Sequence, residues 1–226
     1  MRSGRREGQK TEWKVKKMIQ VKIRAEQPDD YRAILRLTYE AFLTLHYPGR
    51  RRVDEHFLIH LLQGSEFVTP ELSFVAEYEG DIVGHIIYTK SKILCADGTE
   101  RETVTFGPLS VLPQYHRQGI GAALVAHSMR EARLMRIGAV VIEGVPAYYP
   151  KLGFRRAREF GLMQKDGTAP DYLMAYELQQ GYLAGGTIVF LAPEYVLCEE
   201  DDAGYDQFQE SFLKEYYPEK APASLT

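Results

Sequence analysis

The chain has little cysteine and tryptophan, and its net charge is small. Among 226 residues there are 2 cysteines, 1 tryptophan and a formal net charge of −3. Cys95 and Cys198 are too far apart in sequence for a Cys-x-x-Cys metal or redox motif, and two thiols are too few for a disulfide framework. These deficits exclude a small disulfide-stapled scaffold and favour a reducing, cytoplasmic setting.

Long apolar runs are also missing. No stretch approaches the roughly 18 apolar residues of a membrane-spanning helix, and the amino end lacks the apolar core of a secretory signal. The pI near 6.1 provides no basic field of the kind that attracts nucleic acid. We therefore expect neither a membrane nor a nucleic acid as partner. With 45% hydrophobic residues, the chain can still bury the core of one large domain.

Composition divides the chain into three parts. Residues 1–17 are rich in lysine and arginine and poor in apolar residues, which predicts a flexible basic extension. Residues 18–178 carry the patterns of a folded domain, and Met18 at their start is a candidate for the natural initiation site. In the remaining part, 179–226, a strand-like stretch precedes an acidic helix, and we expect both to pack on the same domain.

Hydrophobic periodicity predicts strands and helices in an order typical of a mixed α/β fold. Alternating or continuous apolar runs predict strands at 19–23, 72–78, 82–94, 103–111, 139–142, 172–178 and 188–196. Helical spacing and helix-start residues predict helices or helical turns beginning at Pro28, Val53, Ile120, Ala147 and Asp202. Three consecutive strands joined by glycine turns predict an antiparallel meander. The expected fold class is α/β (α+β), with a mixed, mostly antiparallel sheet flanked by helices.

One segment combines a strand, a glycine turn and a helix. Gly119 and Gly121 allow the backbone to approach a ligand closely, and the N–H groups that begin the following helix favour phosphate. The segment therefore predicts a cradle for a ligand with a pyrophosphate. A dinucleotide fold would need a third glycine where Leu124 is found, and a nucleotide triphosphatase loop would need Gly-Lys-Ser/Thr, which is absent. A tight turn that binds no ligand is the remaining structural alternative.

The residues around these glycines resemble a known family. The turn reads His116-Arg117-Gln118-Gly119-Ile120-Gly121 after Val111-Leu112-Pro113. It resembles the Gln/Arg-x-x-Gly-x-Gly/Ala signature of the GNAT superfamily of acyl-coenzyme A-dependent N-acetyltransferases, with histidine in the first place. Further along, Tyr149-Pro150-Lys151-Leu152-Gly153-Phe154 is similar to the family's Tyr-x-x-x-Gly-Phe segment. The resemblance covers residues 19–178. Over this range the chain is similar to the bacterial YhbS-like branch.

The resemblance implies acetyl-coenzyme A as co-substrate, no metal, and transfer of the acetyl group to a primary amine by direct attack in a ternary complex. It implies that backbone groups of one strand hold the pantetheine arm and that the glycine turn holds the pyrophosphate. The implied cofactor-binding residues are Leu109, Ser110, Val111, His116, Arg117, Gln118, Gly119, Ile120, Gly121 and Ala122. The predicted partners are a small-molecule or protein amine and a second copy of the chain in a homodimer.

Three side chains are candidates for the chemistry. Tyr149 matches the family tyrosine that protonates the departing thiolate, and Tyr148 is the second choice because a one-residue register error would exchange the two. Glu143 follows a buried strand, where a carboxylate can accept the proton of the amine. The alternatives are an aromatic packing residue for Tyr149 and a solvated glutamate beside a water chain for Glu143.

Two other hypotheses stay open at this stage. A non-catalytic acyl-coenzyme A sensor or interaction module would retain the cradle but form no product. His56 and His60 are four apart on a predicted helix, a spacing compatible with metal binding, but the Glu of a His-Glu-x-x-His motif is absent. We therefore expect an ordinary half-buried or solvated histidine pair there.

Overall fold

The computed structural model describes residues 19–45 and 52–221. Within them the chain forms one sheet of eight strands, with five α-helices. The strands are β1 (Lys22–Ala25), β2 (Phe74–Tyr78), β3 (Asp81–Cys95), β4 (Glu100–Val111), β5 (Ala139–Glu143), β6 (Arg155–Arg156), β7 (Leu173–Glu177) and β8 (Gly186–Phe190). The helices are α1 (Tyr31–Leu43), α2 (Glu55–Leu62), α3 (Ile120–Leu134), α4 (Glu194–Glu200) and α5 (Asp202–Tyr216). The predicted extension at 1–17 and Met18 lie outside the described residues.

The sheet is mixed and mostly antiparallel, which confirms the expected fold class. Its strands follow the order β1-β2-β3-β4-β5-β7-β6, and β8 pairs with the second half of β3. The pairs β2–β3 and β3–β4 form the predicted antiparallel meander. Between β2 and β3, Glu79 and Gly80 both have positive φ, as a tight hairpin turn requires. Among the strands named above, β4 and β5 pair in parallel, because α3 crosses between them.

The helices cover the two faces of the sheet. On one face α3 buries Ile120, Leu124 and Met129 against strand residues that include Ile86 and Phe106. Close contact depends on Gly84 in β3, because a Cβ there would lie 2.9 Å from Ile120 Cγ2. On the other face α1, α2 and α5 form a second cluster against the sheet.

Residues 179–221 also join this fold by direct contacts. β8 continues the sheet beside β3, and α5 inserts Phe212 and Tyr205 into the cluster formed with α1 and α2. The strand predicted at 188–196 is wrong over its second half, since β8 ends at Phe190 and α4 begins at Glu194. Pro193 explains the change, because proline occurs readily at the start of a helix and cannot donate to a sheet.

Candidate functional site

A cleft of about 1000 Å³ opens where β4 and β5 separate. The parallel ladder aligns only Val104 with Val140, and β4 then runs on to Val111 in pairing with β3. An extra residue in β4 near Gly107 shifts its register against β3 and bends the strand. The end of β4 therefore turns one row of backbone groups toward the cleft instead of toward a neighbouring strand.

The glycine turn closes one side of this cleft. The His116 Nε2 donates to the Val111 carbonyl oxygen at 2.7 Å, which ties the turn to the end of β4. Arg117 and Gly119 have φ of 60° and 88°, so the backbone reverses before α3 begins. The Gly119 carbonyl accepts the first helical hydrogen bond, from the Ala123 N–H at 2.9 Å. The N–H groups of the first helical residues lack such intrahelical acceptors and are suited to an anion.

Gly121, at the start of α3, leaves space between this helix, β4 and Tyr148. A Cβ built on Gly121 would lie 3.2 Å from the Tyr148 hydroxyl and 3.7 Å from Leu109 Cδ2. The absence of a side chain at Gly121 thus keeps the passage between β4 and α3 open.

Most of the predicted cofactor-binding residues line the cleft. Ser110 and Gln118 do not: the Ser110 hydroxyl bonds Thr38 Oγ1 of α1 at 3.0 Å, and the Gln118 side chain donates to the Gln114 carbonyl. The alternation of a strand explains the first difference, because neighbouring side chains point to opposite faces. The lining residues among those predicted are Leu109, Val111, His116, Arg117, Gly119, Ile120, Gly121 and Ala122.

Tyr148 and Tyr149 both line the cleft and differ in their surroundings. The Tyr149 ring is held 5.7 Å from the rings of Phe106 and Phe154, and it lies directly over Gly144. Tyr148 instead directs its hydroxyl toward the start of α3, and burial raises the pKa of this phenol. The two adjacent hydroxyls therefore serve different parts of the cleft.

Glu143 is the last residue of β5 and lies in the same cleft. Gln164 donates to its Oε1 at 2.7 Å and orients the carboxylate. Burial raises the pKa of Glu143, the Gln164 hydrogen bond opposes this, and repulsion from Glu199 adds to it. A carboxylate with a raised pKa is better matched to accepting a proton near neutral pH.

Sequence reasoning missed the wall formed by α4. Tyr195, Cys198 and Glu199 line the cleft from this helix. The Tyr195 hydroxyl donates to the Gly107 carbonyl at 3.0 Å and accepts from Thr89 Oγ1 at 3.5 Å, which holds α4 against β4. Pro193-Glu194 was the sequence signal that could have found this helix.

Arg52 holds the carboxyl end of α4. Its guanidinium donates to the carbonyl oxygens of Cys198 at 3.2 Å and Glu199 at 3.0 Å, and it pairs with Asp54 at 2.6 Å. Cations at the carboxyl end of a helix are favourable because of the helix dipole. Asp54 and Glu55, at the start of α2, also line the cleft.

The two histidines of α2 differ, because His56 belongs to the core and His60 is exposed. His56 is fully buried among aromatic rings and bonds Gln209 Oε1 at 2.6 Å, and His60 bonds the Tyr31 hydroxyl at 2.9 Å. Across residues 19–45 and 52–221, no group of three His, Cys, Asp or Glu side chains could hold a metal ion. Nor is any helix in these ranges both long and apolar enough to cross a membrane.

Known proteins resemble this chain over the region of the cleft. The sequence model of the acetyltransferase (GNAT) domain matches residues 69–156. YjhQ of Escherichia coli K12, described as an uncharacterized N-acetyltransferase, is 34% identical over 97 residues, which are 43% of this chain and 53% of YjhQ. The chain thus spans about half the length of this curated relative.

Two crystal structures match more of the chain. YhbS from Escherichia coli, a GNAT family N-acetyltransferase in complex with CoA, has a TM-score of 0.67 at 26% identity and covers 78% of this chain and 92% of its own. A GNAT family acetyltransferase from Brucella melitensis in complex with acetyl-CoA has a TM-score of 0.62 at 26% identity, covering 78% and 98%. Together with the splayed strands and the glycine turn, these matches show that residues 69–156 have the sequence pattern of a GNAT acetyltransferase domain and that the chain is similar in fold to YhbS.

Proposed function

We propose that this protein is an acetyl-CoA-dependent N-acetyltransferase that moves the acetyl group to a primary amine by direct attack in a ternary complex. The observation that carries the proposal is the cleft itself. It joins a backbone-lined groove at the end of β4 and the start of α3 to two tyrosines and several carboxylates. The CoA and acetyl-CoA bound by the two structural relatives support the same ligand here.

Two stretches of backbone would hold the cofactor. The N–H groups at the start of α3, from Ile120 to Ala122, would bind the pyrophosphate, helped by the Arg117 guanidinium. The backbone groups of Leu109 and the N–H of Val111 would bond the pantetheine arm as an added strand does, while the Val111 carbonyl accepts from His116. An N–H of this stretch can also stabilise negative charge on the thioester oxygen during attack.

The chemistry then requires one base and one acid. The amine nitrogen forms a bond to the acetyl carbon, and the carbon–sulfur bond breaks as the tetrahedral intermediate collapses. Glu143, oriented by Gln164, accepts the proton that the ammonium must lose before attack. Tyr149 donates a proton to the departing thiolate, with Tyr148 as the competing donor. The nitrogen then loses a second proton, which restores the phenol of the acid, so the products are the neutral amide, the CoA thiol and a protonated Glu143 that releases one proton to solvent.

The proposed setting rests on a smaller observation. The thiols of Cys95 and Cys198 are both buried and are not joined in a disulfide, which supports the cytoplasm as the location of this activity. A homodimer stays a prediction.

The experiment that tests the function measures free thiol release from acetyl-CoA during a screen of amines, with Tyr149→Phe as the first variant. Loss of the acid should lower kcat by about 100-fold, the usual size for one general acid, while CoA affinity stays unchanged. Tyr148→Phe tests the competing donor. Tyr216→Phe, on α5 outside the cleft, is the matched control for removing a phenol.

The possible results separate the hypotheses. Normal turnover of Tyr149→Phe at every pH would show that this residue is not the acid, even if acetyl transfer occurs. CoA binding without a product for any amine or protein acceptor would instead favour the non-catalytic sensor. Absence of CoA binding would contradict both.

A further inference from the structure

The charged residues that line the cleft are sorted by sign across the sheet. The side that holds α3, here called the α3 side, presents Arg117 and the positive end of that helix. The side that holds α1, α2 and α4, here called the α4 side, presents only carboxylates among the charged lining residues that the structure describes. They are Asp54, Glu55, Glu143 and Glu199. The cleft therefore favours phosphate on one side and cations on the other.

Glu199 reaches the cleft because of the way α4 is fixed. Residues four apart lie on the same face of a helix, so Glu199 shares a face with Tyr195. The hydrogen bond from Tyr195 to the Gly107 carbonyl turns this face toward β4. In the described part of the chain, the Glu199 carboxylate has no hydrogen bond or ion pair, whereas Asp54 is paired with Arg52. The Glu199 carboxylate is thus available to a ligand.

A buried hydroxyl provides independent evidence for a polar ligand on the same side. Thr105 in β4 lines the cleft and is 1% exposed. Its Oγ1 has no hydrogen-bond partner among the residues described. In register, Thr105 is opposite Thr89, the residue that bonds the Tyr195 hydroxyl. Buried hydroxyls are nearly always hydrogen-bonded, so this one calls for a partner that enters the cleft.

Two neighbouring carboxylates suggest two cationic groups on the acceptor. Glu143 is close enough to Glu199 to feel its charge, and Gln164 orients Glu143 alone. The amine that attacks must be neutral, so its own charge cannot hold the acceptor through the reaction. A carboxylate that binds throughout the reaction needs a second, permanent cation, and Glu199 is placed to bind it.

From the juxtaposition of Glu143, Glu199 and Thr105 on the α4 side, we infer that the acceptor is a small primary amine carrying a second cationic group, as in an aliphatic diamine. Glu199 binds the second cation, Glu143 receives the proton of the reacting amine, and the Thr105 hydroxyl bonds the acceptor from the floor of the cleft. This inference rests on the proposed function. It adds a substrate class and a specificity-determining residue from α4.

The test compares aliphatic diamines of increasing length with the monoamines of the same length, in wild type, Glu199→Gln and the control Glu200→Gln. Glu200 is the adjacent exposed residue of α4 and does not line the cleft. We expect the best diamine to exceed its monoamine in kcat/KM by about tenfold or more, as expected for one additional charge-assisted contact. Glu199→Gln should remove this preference by raising KM for the diamine, while Glu200→Gln should leave it intact.

Thr105→Val, which removes the hydroxyl and preserves the shape, should raise KM for the diamine with unchanged CoA affinity. Calorimetric binding of the diamine to the CoA-bound protein provides a readout that does not depend on turnover. Equal kcat/KM for diamines and monoamines, or equal diamine binding by wild type and Glu199→Gln, would overturn the inference and leave the proposed function in place. No thiol release with any amine would overturn both.

Discussion

Under the proposed function, the two sides of the cleft would recognise their ligands by different means. On the α3 side the contacts would come from backbone groups of β4 and of the glycine turn, since the side chains of Ser110 and Gln118 point elsewhere. On the α4 side they would come from side chains, among them Glu143 and Glu199, that three separate segments of chain bring together. Backbone recognition tolerates many side chains, whereas side-chain recognition depends on each residue.

This difference explains why an atypical residue does not disable the α3 side. His116 occupies the first place of the turn, where Gln or Arg is usual in the resembling family. Its Nε2 bonds the Val111 carbonyl, so the side chain shapes the turn and leaves the N–H groups of α3 in place. The α4 side would have less tolerance, because each of its contacts depends on one particular side chain.

The largest expected effect is on the α3 side, from Gly121→Val. A branched side chain at Gly121 would enter the passage below the Tyr148 hydroxyl and displace phosphate from the helix start. Loss of two charge-assisted hydrogen bonds predicts a CoA affinity lower by roughly 1000-fold. Isothermal titration with CoA measures it. Ala126→Val, at an exposed position of the same helix, is the control, and similar affinities for the two variants would contradict backbone recognition.

Glu143→Gln should affect only the α4 side. Removing the base predicts a kcat lower by about 100-fold with unchanged CoA affinity. In wild type, kcat should rise with pH as Glu143 loses its proton. This rise, the acid limb of the kcat–pH profile, should be absent in the variant. Because burial and Glu199 raise the pKa of Glu143, Glu199→Gln should move the limb to lower pH. Since Gln164 lowers that pKa, Gln164→Ala should move the limb to higher pH.

Steady-state kinetics across pH, with CoA binding measured in parallel, check these shifts. An unchanged kcat for Glu143→Gln would show that a water chain, and not Glu143, accepts the proton of the ammonium. An acid limb that Glu199→Gln leaves at the same pH would show that the two carboxylates do not interact.

A smaller effect, on the free energy of unfolding, is expected from His56, a buried residue of α2. Burial lowers the pKa of His56 from 6.5 to about 4, so the unfolded chain binds more protons between these values. The free energy of unfolding should therefore fall as the pH drops through this window, by about 2 kcal/mol at pH 5. His56→Gln should flatten this dependence in urea titrations at several pH values. An unchanged slope would show that another group titrates there.

Local patterns allowed much of the fold and the α3 side to be predicted. The meander, α3 and the buried strand β5 follow from apolar spacing and turn residues within short stretches of chain. The glycine turn could be found because its function depends on backbone conformation, which Gly119 and Gly121 determine locally. Tyr149 and Glu143 could be named as candidates because each adjoins a recognisable strand or motif.

The sequence by itself therefore determined the order of elements, the antiparallel meander and the phosphate-binding start of α3. Only the tertiary structure decided that Ser110 faces α1, that 194–200 is a helix, and that Thr105, Tyr195 and Glu199 meet Glu143 in one cleft. The physical reason is the range of the interactions. Helix starts and turns depend on neighbours in sequence, whereas the α4 side depends on contacts such as Arg52 with Cys198 and Tyr195 with Gly107, which join residues 146 and 88 positions apart.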